Sequence, residues 1–188
     1  MVKSRPLVVA AVILALVASP ALTKEIPVGD PQVVGAAGLE VAVVYLQPIE
    51  MEPASFEGRP LYLPRAKSDI HLEADIHAVK GNKQGFREGE WLPALTVRYA
   101  LKNLDNGQEQ SGILHPMMAN DGPHYGANIK MPGLGNYKLT YVVEPPGRGG
   151  VDAPVRQGFG RASGAPWWQP FKLEWTFKYL GPGKKGGY

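Results

Sequence analysis

The chain has 188 residues, 44% of them hydrophobic, with 20 Lys and Arg against 17 Asp and Glu and no cysteine. Without cysteine there is no disulfide, no thiolate metal site and no lipid attachment point, so a packed core alone must hold the fold. Setting aside Lys3 and Arg5, which belong to a leader, leaves 18 basic against 17 acidic residues, a near-neutral balance that argues against nucleic acid or an anionic membrane surface as partner.

Lys3 and Arg5 precede an apolar run from Leu7 to Ala18, followed by small residues around Ser19-Pro20-Ala21. This is the pattern of a secretory signal peptide over residues 1–23, and the run is too short to span a membrane comfortably. The expected mature chain, about 165 residues, falls in the range of one domain. We place that domain at 24–183, with a flexible Gly-rich tail at 184–188.

Gly38 to Ile49 (GLEVAVVYLQPI) is rich in Val and stops at Pro48, as a strand would. Glu50 to Asp69 holds Pro53, Gly58, Pro60 and Pro64 and reads as a long loop or bent edge strand. His71-Leu72-Glu73-Ala74-Asp75-Ile76-His77 reads as a strand with Leu72, Ala74 and Ile76 on one face and His71, Glu73, Asp75 and His77 on the other. At roughly 3.3 Å of rise per residue its two histidines sit about 20 Å apart and cannot share an ion. His71 and Glu73 are neighbours on that face and can converge. Trp91 to Leu101 alternates as a further strand, and Asp105-Asn106-Gly107 supplies a tight hairpin turn.

Gln110 to Leu114 runs into His115-Pro116-Met117-Met118, and Gly122-Pro123 turns the chain toward His124-Tyr125-Gly126. This turn lets the chain double back and set the Met117 thioether beside the His124 imidazole. Tyr137 to Glu144 is another alternating strand, Gly147 to Gly164 a mobile loop, and Lys172 to Tyr179 a strand with one face in a core and one in water. No segment beyond the leader shows a helical apolar period. Some seven short strands between turn signals predict an all-β, antiparallel, immunoglobulin-like β-sandwich, with a barrel as the other architecture compatible with the pattern.

All four histidines fall within 71–77 and 115–124. Imidazole, carboxylate and thioether form a mixed set: the thioether favours copper, the rest suit Cu(II), Fe or Zn. His77 and His115 read as structural or exposed, Met118 as a core gap-filler, and Asp75 as a solvated residue or an acceptor behind the ligands. Trp167-Trp168 offers a sugar-stacking platform only if one ring is exposed. No enzyme signature is present: there is no cysteine nucleophile, GxSxG, Walker loop or dinucleotide fingerprint.

The blocks YLQPIEMEP at 45–53, HLEADIHA at 71–78, GNKQGFREGEWLP at 81–93, PMMANDGPHYGANIKMPGLGNYKLTY at 116–141 and Trp167-Trp168-Gln169-Pro170-Phe171 resemble the periplasmic iron-transport proteins of the FetP type. The resemblance covers about residues 36 to 180 and implies an immunoglobulin-like homodimer that binds copper and iron and accompanies an inner-membrane iron permease. Its ligand motif carries over to His71, Glu73, Met117 and His124. The family has a further histidine in the late loop, where Gly147 to Gly164 has none; water, Asp75 or Met51 would complete the shell here. The expectation is a non-enzymatic periplasmic metal-binding protein supporting iron uptake, the alternative a periplasmic copper chaperone or resistance protein.

Overall fold

The structure, a computed structural model, describes residues 25–147 and 166–181. The leader, most of the late Gly-rich loop and the basic tail lie outside them. The strands are β1 (Ile26–Pro27), β2 (Gln32–Val34), β3 (Leu39–Leu46), β4 (Ser55–Phe56), β5 (Arg59–Pro60), β6 (Ile70–Ala78), β7 (Thr96–Asn103), β8 (Glu109–Ala119), β9 (Gly122–Ile129), β10 (Gly135–Glu144) and β11 (Phe171–Tyr179). The described residues contain no α-helix, only one 3-10 turn at Arg65–Lys67.

Nine of the strands form one antiparallel sheet in the order β1-β3-β6-β9-β8-β7-β10-β11, with β2 also on β3. The sheet doubles over at β8, which is 11 residues long. Its first half pairs with β7 as far as Leu114 opposite Val97, and its second half pairs with β9 from His115 opposite Gly126. One strand thus belongs to both layers, and the all-β sandwich expected from the alternation is the fold observed.

The core between the layers follows from period-two patterning. Leu72, Ala74 and Ile76 of β6 face Tyr137, Leu139, Tyr141 and Val143 of β10, all fully buried. Shaving Leu72 to Ala would cost about 2–5 kcal/mol. Core tyrosines keep their hydroxyls satisfied: Tyr125 donates to the Leu92 carbonyl at 2.7 Å and accepts from the Leu95 amide at 3.0 Å. The free edges meet through side chains only, with Trp175 Nε1 donating to the Asp30 carbonyl at 3.0 Å and Gln32 Nε2 to the Glu174 carbonyl at 2.9 Å. Among the described residues no strand ladder joins these edges, and the barrel alternative is not realised there.

Two local expectations need correction. The strand predicted from Trp91 begins only at Thr96. Pro93 lacks an amide donor and Ala94 takes φ 60°, so the chain crosses to the sheet irregularly, with Trp91 making an isolated bridge to His77. Met118 is 76% exposed rather than a gap-filler. It shares the core-facing parity of Leu114, but β8 has by then outrun β7, and nothing remains opposite to cover it. The hairpin turn at Asp105-Asn106-Gly107 is present, with Gly107 at φ 74° and Asn103 Oδ1 accepting from the amides of Asp105 and Asn106.

Candidate metal site

The second face of β6 is built from odd-numbered residues, and lateral pairing decides what stands beside them. His71 lies opposite Asn128 and Glu73 opposite Gly126 on β9, while Met117 and His115 of β8 lie opposite His124 and Gly126. Alternation then puts His71, Glu73, Gly126, Asn128, His124, His115 and Met117 on one surface of three adjacent strands. On the other flank Val44 and Leu46 of β3 pair with Glu73 and His71 and are themselves buried.

Gly126 stands at the centre, and its lack of a side chain makes the site possible. A methyl group there would collide with His71 Nε2 and lie 3.1 Å from Met117 Sδ. The imidazole and the thioether therefore lean over the same bare patch of backbone. Glycine is required here for space, since its φ is not in the left-handed region.

The ligand atoms of His71, Glu73 and His124 all lie within 4.8 Å of one another. Glu73 Oε1 is 3.5 Å from His71 Nε2 and 3.4 Å from His124 Nε2, and the two rings stand at 79°. An ion held about 2.0–2.2 Å from each ligand subtends edges of this size. His71, Glu73 and His124 are only 0%, 5% and 3% exposed, and neither Nε2 has a hydrogen-bond partner. A buried polar atom left unpaired costs about 1–3 kcal/mol. Two of them converging on one carboxylate is a donor set that fits a cation.

Asn128 fixes the ring of His71. Its Nδ2 donates to the carbonyls of Ile49 at 2.8 Å and Leu63 at 3.1 Å, and its Oδ1 accepts from the Ile49 amide at 3.3 Å. With Oδ1 thereby identified as the acceptor, the 3.0 Å contact to His71 Nδ1 requires that nitrogen to carry the proton. Nε2 is left with its lone pair directed toward Glu73, the tautomer a metal ligand needs.

The electrostatics point the same way. Burial, assisted by the nearby His124 against the pull of the Asn128 hydrogen bond, lowers His71 to about 4. Burial, then the charges of Asp75, Glu25 and Asp121, raises Glu73 to about 8. The short His71–Glu73 and His124–Glu73 approaches are thus not ion pairs near neutrality, because Glu73 keeps its proton. A cation would reverse that by compensating both the desolvation and the neighbouring carboxylates.

Of the other candidates, Asp75 is half-buried on the same face, its carboxyl raised by burial against the charges of His124 and His77. His77 is half-buried at the far end of β6. His115 packs edge-on against Tyr62, ring centroids 5.1 Å apart, and is lowered by burial. Met51 is half-buried. Trp168 is 7% exposed and Trp167 half-buried, with rings at 89°, so they make no flat platform. The late-loop position lies outside the described residues. Sequence reasoning missed Gly126 and Asn128, although the alternation His124, Gly126, Asn128 was there to be read. It also missed Glu25 and Asp121, which share a hydrogen bond beside the site.

Fold and site together define an antiparallel β-sandwich protein with a buried imidazole–carboxylate centre, bordered by a thioether, on the outer face of one sheet. The chain matches the family model described as Fe2+ transport protein over residues 22–181 and belongs to that family. It is 48% identical to the copper-reconstituted P19 protein of Campylobacter jejuni, with a TM-score of 0.74 over 86% of this chain and 99% of that one. It is 52% identical to FetP of uropathogenic Escherichia coli, with a TM-score of 0.71 over 84% of this chain and 97% of that one. A UPF0423 protein of Brucella abortus is 51% identical over 173 residues, 89% of this chain and 88% of the relative.

Proposed function

We propose that this protein is a non-enzymatic, periplasmic metal-binding protein that captures iron and copper through His71, Glu73, Met117 and His124 and supports iron uptake through an inner-membrane permease. The observation that carries this reading is the convergence of two buried, unpartnered imidazole nitrogens on one buried carboxylate. Family membership and the copper-bound relatives support the choice of metals. The leader expected at residues 1–23 supports export. No helix among the described residues is long and apolar enough to cross a membrane. Homodimerisation follows the family resemblance and is part of the same proposal.

The chemistry asked of the chain is binding and release. His71 and His124 offer ring nitrogens, Glu73 offers an oxygen once its proton leaves, and Met117 offers a polarisable sulfur. That sulfur favours a second reading, a copper chaperone or resistance factor for which iron is incidental.

Titrating the mature protein with Cu(II), and with Mn(II) in place of Fe(II), tests the site: binding should collapse in His71→Ala and His124→Ala. Unchanged affinity in both would overturn the assignment. Iron uptake by a strain lacking this protein separates the two readings. A defect restored by the wild-type chain and not by His124→Ala supports iron delivery, whereas copper sensitivity with normal iron uptake supports copper handling.

A further inference from the structure

Residues 47–68 leave β3, run over the outer face of the sheet as a mostly exposed strap carrying the small β4–β5 hairpin, and return at β6. Two points far apart in this strap are held by a single side chain. Asn128 bonds both Ile49 and Leu63 through its amide nitrogen, and Ile49 again through its oxygen. That same oxygen receives the proton of His71 Nδ1. Beside it, Tyr62 of the strap packs against His115, which stands opposite Gly126.

One carboxamide thus touches both the anchor points of the strap and the ring of a ligand that is 0% exposed. Its geometry is indivisible: the amide is planar, so turning it to follow a moving strap also withdraws the acceptor that keeps the His71 lone pair aimed at Glu73. Building on the metal-site reading above, we propose that Asn128 is a positioning residue that couples the strap to the metal centre. Holding the strap down keeps His71 in its ligating orientation, and a metal ion that fixes His71 holds the strap down in return. By linkage, the factor by which a bound ion tightens the strap equals the factor by which a fastened strap tightens the ion.

The test uses the full mature chain and Cu(II) as probe. Two variants divide the role. Asn128→Ala removes every bond. Asn128→Asp retains an acceptor for His71 and for the Ile49 amide while losing both donors to the strap carbonyls, and serves if the alanine variant does not fold. Amide hydrogen exchange of peptides spanning 47–68 in the metal-free protein should accelerate about tenfold in either variant, with β10 and β11 unchanged. Cu(II) should slow strap exchange in the wild type, lose that protection in Asn128→Asp, and dissociate from that variant about 10–100 times faster.

The proposal is overturned if the metal-free strap exchanges alike in wild type and variants, or if Cu(II) binds the wild type without slowing strap exchange. If the wild type binds no Cu(II), the metal-site reading fails, while the metal-free comparison still decides whether Asn128 latches the strap.

Discussion

Two glutamates of this protein each stand between two nitrogenous bases on an outer sheet face, and they end in opposite states. Glu174 on β11 lies between Lys138, at 2.8 Å, and Lys172, and these two hydrogen-bonded ammonium groups hold its carboxyl down at about 2. Glu73 on β6 lies between His71 and His124 and is pushed up to about 8 by burial and by other carboxylates. The neighbours of Glu174 are partly exposed lysines in water, and those of Glu73 are enclosed imidazoles. The first arrangement is complete as it stands and contributes little, since exposed ion pairs are screened and entropically costly. The second leaves two nitrogens without partners and a carboxyl that burial and neighbouring carboxylates keep from ionising until about 8. Its incompleteness is what gives it an appetite for a cation.

The largest effect that should separate the two faces is on metal affinity. His71→Ala or His124→Ala is expected to weaken Cu(II) binding by at least about 100-fold in a competition titration, removal of a ligand costing more than the loss of an outer partner. Lys138→Ala and Lys172→Ala on the other face should leave it unchanged. Equal losses on both faces would mean that general charge, not the three-residue centre, attracts the ion.

Next in size is the pH dependence. Because Glu73 must lose its proton to ligate, affinity should climb by up to about tenfold per pH unit until it levels off near 8. His71, already neutral down to about 4, adds no slope of its own above that value. Isothermal titration from pH 5 to 9 would read this, with Glu73→Gln expected to bind more weakly and to lose that part of the slope. A wild-type profile flat above pH 6 would show that Glu73 is not displaced from its proton.

Stability of the metal-free protein gives a smaller signal of the same origin. Glu73 holds its proton more tightly folded than unfolded, so its contribution is full below the ordinary value of 4.5 and is lost as pH rises to about 8. His71 runs the other way: its folded pKa is depressed, so stability is lost as pH falls from 6.5 toward 4. The two slopes offset between pH 4.5 and 6.5. From 6.5 to 8 the Glu73 contribution stands alone and removes about 2 kcal/mol, a shift of about one and a half units. Chemical denaturation should find the loss in wild type and not in Glu73→Gln.

The smallest effect belongs to the solvated face. Glu174→Gln is expected to leave the denaturation midpoint within measurement error at physiological salt, the ordinary result for an exposed ion pair. A clear loss would mean that the Lys138–Glu174–Lys172 group is less screened than its exposure implies.

Much of this contrast was legible in residue order, and the illegible part has a common cause. The alternation of His71-Leu72-Glu73-Ala74 assigned each side chain its face, and the doubling back after Met118, which turns at Asn120-Asp121 rather than at Gly122-Pro123, brought Met117 opposite His124. Gly126 and Asn128 were passed over because neither is a conspicuous ligand. A glycine whose role is empty space, and an amide whose role is to orient a neighbour, acquire meaning only from what lies beside them. Met118 failed for a related reason: its parity was right for a core, but parity does not say where the opposite layer ends.

Residue order by itself determined the strands, their faces, the absence of thiol chemistry and the kinds of donor available, because a two-residue period and side-chain chemistry are local properties. Tertiary structure alone decided that β9 would lie between β6 and β8, bringing Gly126 beside Glu73 across more than fifty positions of chain. It also decided that a polar sheet face would be closed off from water. Both are non-local: pairing is selected by the packing of the whole sheet, and the proton on Glu73 answers to the solvent that this packing excludes.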